Sequence, residues 1–177
     1  KRQIAGCAGW FGLVEYCKPF RARAEAYDLE RINDLEVPSL ILDRNNKEIG
    51  RIFVQNRSVI PFAKIPARLI KALEAGEDSR FRSHDGVDYI GVLRAVKSNL
   101  SAGERNQGAS TITQQLARNA YPLKEESKQL GESDYKRKIV EAFLALRIEK
   151  RYSKDQILEF YLNRIYFGSG FHGIRSA

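Results

Sequence analysis

Cysteine is scarce in this chain. Cys7 and Cys17 are the only two, and their spacing matches neither a paired zinc motif nor a disulfide scaffold. Long hydrophobic runs are missing as well. The longest run of apolar and glycine residues, Ile4 to Val14, falls far short of the ~20 residues needed to cross a bilayer, so these residues do not span a membrane. No Ser or Cys nucleophile is paired with a base, which leaves an acyl-transfer triad unsupported. Repeats and low-complexity segments are absent. The basic residues are dispersed among acids without an aromatic stacking platform, which argues against nucleic acid as the partner. The chain opens at Lys1 rather than Met and stops at Ala177 without a tail signal. Pieces of a longer protein, an upstream anchor among them, are therefore expected beyond its ends.

Positive charge is what the sequence has in excess. A net charge of +8 points to an anionic partner: nucleic acid, a phospholipid surface or a phosphorylated substrate. With 177 residues, 43% apolar and 29% charged, the composition is that of one globular domain, and disordered and fibrous classes fit poorly.

Residues 1–36 mix small, aromatic and charged side chains. Ala22, Ala24, Ala26 and Leu29 among Arg and Glu suggest a short helix leading into the domain. Pro38 then opens Ser39 to Asp43, a turn-prone Arg44-Asn45-Asn46-Lys47 follows, and Glu48 to Val54 completes a β-hairpin. From Pro66 the pattern becomes helical, with Leu69, Ile70 and Leu73 at helix spacing and Gly76 placed to end the element, which puts Glu77 at its C-terminal edge. Asp88 caps a second helix whose Tyr89, Leu93, Val96 and Leu100 recur at helical spacing. A polar loop, Ser101 to Gln107, comes next, and three further helices start near Thr111, Asp134 and Ser153. The fold class is mainly α with one small hairpin near the N-terminus.

Two stretches carry the chemistry. Glu77-Asp78-Ser79-Arg80-Phe81-Arg82-Ser83-His84-Asp85-Gly86 is answered by Gly108-Ala109-Ser110-Thr111-Ile112-Thr113-Gln114-Gln115. In the first, adjacent carboxylates flanked by Arg80 and Phe81 supply a candidate general base, and His84 is either a second base or a hydrogen-bonded structural residue. In the second, Thr111 and Gln114 have capping-box spacing. The helix start they announce offers free N–H groups and the Ser110, Thr111 and Thr113 hydroxyls to a phosphate or sugar oxygen, although a plain capped surface helix would read the same. Gln114 or Gln115 and Arg118 continue one face of that helix.

Arg137, Lys138 and Glu141 stand at i, i+1 and i+4, so both cations lie above one carboxylate. As a surface ion pair this would be worth only about 0.2–1 kcal/mol. Cations near a helix N-terminus also oppose its dipole, so helix stability does not explain the choice. A diphosphate leaving group does, because fixed cations neutralise the charge that grows as its bond to a sugar breaks. Ser153 and Gln156 form another capping box, followed by a core stripe of Ile157, Leu158, Tyr161, Leu162 and Ile165. The polar side of that helix carries Glu159, Asn163 and Tyr166, with Asn163 best placed to face a ligand. Gly168, Gly170 and Gly173 then break regular structure.

These blocks, together with Arg151 to Asn163 and the Gly-rich stretch ending at Ala177, resemble the peptidoglycan glycosyltransferases (family 51), found in bifunctional penicillin-binding proteins and monofunctional transglycosylases. The resemblance covers residues 37–177 and leaves 1–36 as a lead-in segment. It implies a lysozyme-like helical domain on the outer (periplasmic or extracellular) face of the cytoplasmic membrane. There it would polymerise lipid II into β-1,4 glycan strands and release undecaprenyl diphosphate. By that resemblance Glu77 is the general base and Glu141 the second essential acid. Asp78, Phe81, His84, Ser110, Thr111, Gln114, Gln115, Arg118, Arg137, Lys138 and Asn163 meet the substrate. A divalent cation, Mg2+ or Mn2+, and no organic cofactor would serve. Partners would be lipid II, the growing strand, the membrane surface and other cell-wall synthesis proteins, with no nucleic acid. Ala109 replaces the usual second glycine of its block, Arg118 stands where lysine is common, and Ala120 to Lys136 looks like a long loop. The chain also stops where family members continue into further helices. A catalytically incompetent lipid II-binding fragment and a glycoside hydrolase are the competing readings, the latter weakened by the cation pair.

Overall fold

Val140, Leu144 and Ile148 are fully buried, one helical turn apart, and this repeat makes α6 (Asp134–Arg151) the axis of the molecule. The protein's structure, a computed structural model, describes residues 2–35, 39–52, 56–57, 59–102 and 110–176. Around α6 pack α4 (Ile112–Ala120), α5 (Leu123–Gln129) and α1 (Arg2–Ala26), and α7 (Lys154–Arg164) closes the core against α4. Ile112 and Leu116 of α4 and Ile157, Leu158 and Leu162 of α7 fill the middle. Each such side chain contributes about 1.5–3 kcal/mol relative to exposure.

The expected capping boxes both form. Thr111 Oγ1 accepts from Gln114 N while Gln114 Oε1 accepts from Thr111 N, and Ser153 and Gln156 do the same for α7. The hairpin is present as β1 (Ser39–Leu42) paired antiparallel with β2 (Glu48–Ile52). Asn46 supplies the left-handed turn residue at φ 61°, and Asp43 Oδ1 accepts from the N–H groups of Asn45 and Lys47. Pro38, Phe53 and Val54 lie outside the described residues, as do 103–107 of the expected polar loop and Gly108 and Ala109 after it. α2 (Ala67–Glu77) starts after Pro66 and runs one residue past Gly76.

The sequence reading needs four corrections. The first helix is long rather than short, and its C-terminal half is part of the core. Phe20 and Ala24 are buried, Arg23 ion-pairs with Glu126 and Glu132, and Arg147 of α6 donates to the carbonyls of Ala24 and Tyr27 at its end. Second, Ala120 to Lys136 is not a plain loop. It contains α5, which buries Leu123 and Ser127. Third, the glycine-rich C-terminal stretch forms β4 (Tyr166–Gly168) and β5 (Phe171–His172). With β3 (Asn56–Arg57) they make a second small sheet in the order β3-β5-β4. Gly168 and Gly170 turn that hairpin at positive φ, which a side chain would resist. Fourth, α3 (Tyr89–Ala102), capped by Asp88 through Gly91 N at 2.8 Å, turns its first apolar residues outward. Tyr89 is 66% and Leu93 69% exposed.

Candidate active site

α2 ends at Glu77 because the next residue, Asp78, leaves the helical region at φ −158° and turns inward. Glu77 itself stays exposed. Asp78 is buried, and its carboxylate accepts from Ile112 N at 3.1 Å and from His84 Nε2 at 3.0 Å. The anion that the start of α4 holds is therefore Asp78, a residue of the protein itself. His84 Nδ1 accepts from Gly86 N, which makes Nε2 the protonated nitrogen that donates to Asp78. Phe81 is 1% exposed, with the Lys154 ammonium 4.3 Å from its ring centroid. Thr111 Oγ1 donates to Gly86 O at 2.6 Å, and Thr113 Oγ1 donates to Glu149 at 2.6 Å. Asn163 closes both ends of its amide on the backbone of Ile60, at 2.9 and 2.8 Å.

Asp78, Phe81, His84, Thr111 and Asn163, all expected to meet a ligand, are thus turned inward, and so is the Thr113 hydroxyl. They set the backbone that presents the site. Gly86 is the tightest point of this scaffold. Its φ is +98°, and a Cβ there would lie 2.7 Å from the carbonyl oxygen of Ala145 on α6.

The remaining expected residues meet around α4. Gln115 donates its Nε2 to Glu77 Oε2 at 3.0 Å, and its Oε1 accepts from Tyr161 OH at 3.0 Å. One position earlier, and so about 100° around the helix, Gln114 faces a cavity of about 450 Å³. Its walls include Ser110, Lys138 and Glu141, with Val87, Tyr89 and Phe143 among the apolar ones. Arg118, one turn beyond both glutamines, feels both sides: its charge acts on Glu141 and on Tyr161, which also senses Glu77. Helix α4 therefore joins the exposed carboxylate to the cation cluster.

Within that cluster the pairing is lopsided. Arg137 is buried and bonded to both Glu141 and Asp134, the second contact at 3.0 Å. Lys138 is exposed and acts on Glu141 only through its field. The Arg137–Glu141 pair is thus a buried one and not the surface pair the spacing alone suggested. Burial pushes the Glu141 carboxyl above the usual glutamate range, against the opposing pull of Arg118, Arg137 and Lys138. Arg137 also lines a second, polar cavity of about 340 Å³ with Lys124, Lys128 and Asp134.

Among the described residues no group of three or more His, Cys, Asp or Glu side chains stands where it could hold a metal ion. Glu141, the acid nearest the cations, is already committed to Arg137. Among the described residues, then, no all-protein donor set for the expected Mg2+ or Mn2+ is present. Tyr161 and Asp134 are functional neighbours that the sequence reading did not single out. For Tyr161 a signal existed, since a phenol in a buried stripe needs a partner for its hydroxyl.

The family model described as transglycosylase matches residues 45–177. Penicillin-binding protein 1A of Escherichia coli K12 is 39% identical over 98% of this chain, which corresponds to 19% of that protein. Penicillin-binding protein 1F of Bacillus subtilis is 39% identical over 81% of the chain and 19% of its own length. Penicillin-binding protein 1A of Haemophilus influenzae is 43% identical over 82% of the chain and 16% of its own length. The chain spans about a fifth of the length of these curated relatives.

Proposed function

The chain belongs to the transglycosylase family, and from that premise we propose that it polymerises lipid II into β-1,4 peptidoglycan strands with release of undecaprenyl diphosphate. Glu77 takes the proton from the 4-hydroxyl of the acceptor GlcNAc as that oxygen attacks C1 of the donor MurNAc. The bond from C1 to the diphosphate breaks, its electron pair leaves on the diphosphate oxygen, and the configuration at C1 inverts. Arg118, Arg137 and Lys138 neutralise the departing charge. Glu141 holds Arg137 in place, and Ser110 and Gln114 line the donor's cavity.

The observation that carries this reading is the arrangement about α4. It sets an exposed carboxylate, oriented by Gln115, on one side, and a cation cluster with a mostly apolar cavity on the other. A neutral glycosidic bond would have no use for the cations, so hydrolysis is the poorer fit. The work is placed at the outer face of the cytoplasmic membrane. Support comes from the net charge of +8, the outward apolar residues of α3 and the likeness to penicillin-binding proteins. Among the described residues no helix is long and apolar enough to cross a membrane.

The test is polymerisation of labelled lipid II. Glu77→Gln is expected to lose about 10²- to 10⁴-fold in turnover, the range of a general base, with donor binding retained. Continued strand growth by that variant removes Glu77 from the role. Binding of lipid II without product by the unmodified chain would support a binding module instead.

A further inference from the structure

Tyr161 belongs to the apolar stripe of α7 and is 1% exposed, so burial accounts for its ring. Burial does not account for its hydroxyl, which needs a hydrogen-bond partner. That partner is Gln115 Oε1, and the opposite end of the same amide donates to Glu77 Oε2, each at 3.0 Å. The direction of the chain is forced. An ionised carboxylate only accepts, so Gln115 must turn its NH2 to Glu77 and its carbonyl to Tyr161, and Tyr161 must donate.

We propose that Tyr161 is a positioning residue for glycosyl transfer: by donating to Gln115 it locks the amide with its NH2 towards Glu77 and so fixes the carboxylate that receives the acceptor's proton. The inference rests on the assignment of Glu77 as the base. Burial, with the Glu77 charge adding to it, pushes the phenol of Tyr161 upward, so it stays an O–H donor. The lock also resists reversal. Once Glu77 has taken a proton, its new O–H would favour the Gln115 carbonyl, but turning the amide would set its NH2 towards the phenol oxygen of Tyr161, which can accept it only by swinging its own O–H away from the amide and so losing the acceptor that buried hydrogen now has. Gln115 therefore keeps one sense through the cycle, and the proton leaves Glu77 on its exposed side.

Tyr161→Phe, Gln115→Ala and the double variant test this. Tyr161→Phe keeps the ring in the core and is expected to lower kcat up to about tenfold, the upper range of one neutral hydrogen bond, with KM little changed. Gln115→Ala should lose at least as much, and the double variant no more than Gln115→Ala alone, because Tyr161 acts only through the amide. In 15N-resolved NMR of the chain, the Gln115 side-chain NH2 pair should move in Tyr161→Phe while the backbone amide pattern stays in place. An unchanged kcat in Tyr161→Phe, additive losses in the double variant, or an NH2 pair that stays put would each overturn the proposal. If the unmodified chain does not polymerise lipid II at all, the function proposed above fails, and the NMR comparison still decides whether Tyr161 sets the amide.

Discussion

At residue scale, the most consequential group is Glu141. It is 1% exposed, and burial raises its proton affinity more than three nearby cations lower it. A carboxyl whose folded-state pKa lies above its unfolded one contributes stability at low pH, and that contribution is lost as pH rises through and above the ordinary glutamate range near ~4.3. Glu141→Gln keeps an acceptor for Arg137 and does not titrate. The stability of the natural chain minus that of Glu141→Gln should therefore fall as pH rises from about 4 to about 7, read by denaturant unfolding at each pH. A flat or rising difference would mean that the cations outweigh burial. The same residue marks the limit of what sequence shows. Spacing put Arg137 and Glu141 on one face, but the depth of the pair is decided by α4 and α5, which pack against α6. Asp78 and Asn163 lie beyond that limit too. Each sits at an ordinary helix-edge position, and their inward turns towards Ile112 and Ile60 involve backbone 34 and 103 residues away.

At the scale of elements, features set by neighbouring residues were legible and those set by distant contacts were not. Both capping boxes, the Asn46 turn and the apolar stripes of α6 and α7 follow from local pattern. The short helix α5 and the two-residue strand β5 carry too few residues for a period to register, and they exist because α6 and β3 cover them. Helix α1 is the clearest case. Its polar, alanine-rich end reads as a solvent-facing lead-in, yet α6 reaches over to hold it through Arg147, while Phe20 and Ala24 fill the gap between the two helices. Phe20→Ala should accordingly cost about 3–5 kcal/mol of unfolding free energy, measured by chemical denaturation. A cost below about 1 kcal/mol, the level of ordinary surface substitutions and weaker, would show α1 to be loosely attached.

At the scale of the whole molecule, the excess of positive charge and the outward apolar residues of α3 point to one setting. Tyr89, Ile90, Val92 and Leu93 are exposed, and Arg94 and Lys97 follow them on the same helix. An anionic lipid surface attracts nearby Lys and Arg by about 1 kcal/mol each, and salt weakens that attraction as the screening length shrinks from ~10 Å at 0.1 M to ~3 Å at 1 M. Binding to vesicles rich in anionic lipid should therefore weaken several-fold across that range but not vanish, since apolar contact does not depend on screening. Affinity independent of salt would remove the charge from the account.

The tight approach at Gly86 bears on how the proposed lipid-linked saccharide would be admitted. With no room for even a methyl group between this residue and the Ala145 carbonyl, and with Thr111 gripping the Gly86 oxygen, the segment after α2 sits flush against α4 and α6. These parts form a single anvil against which the reaction is struck. Under the proposed function, a growing saccharide would have to pass along that block rather than through it.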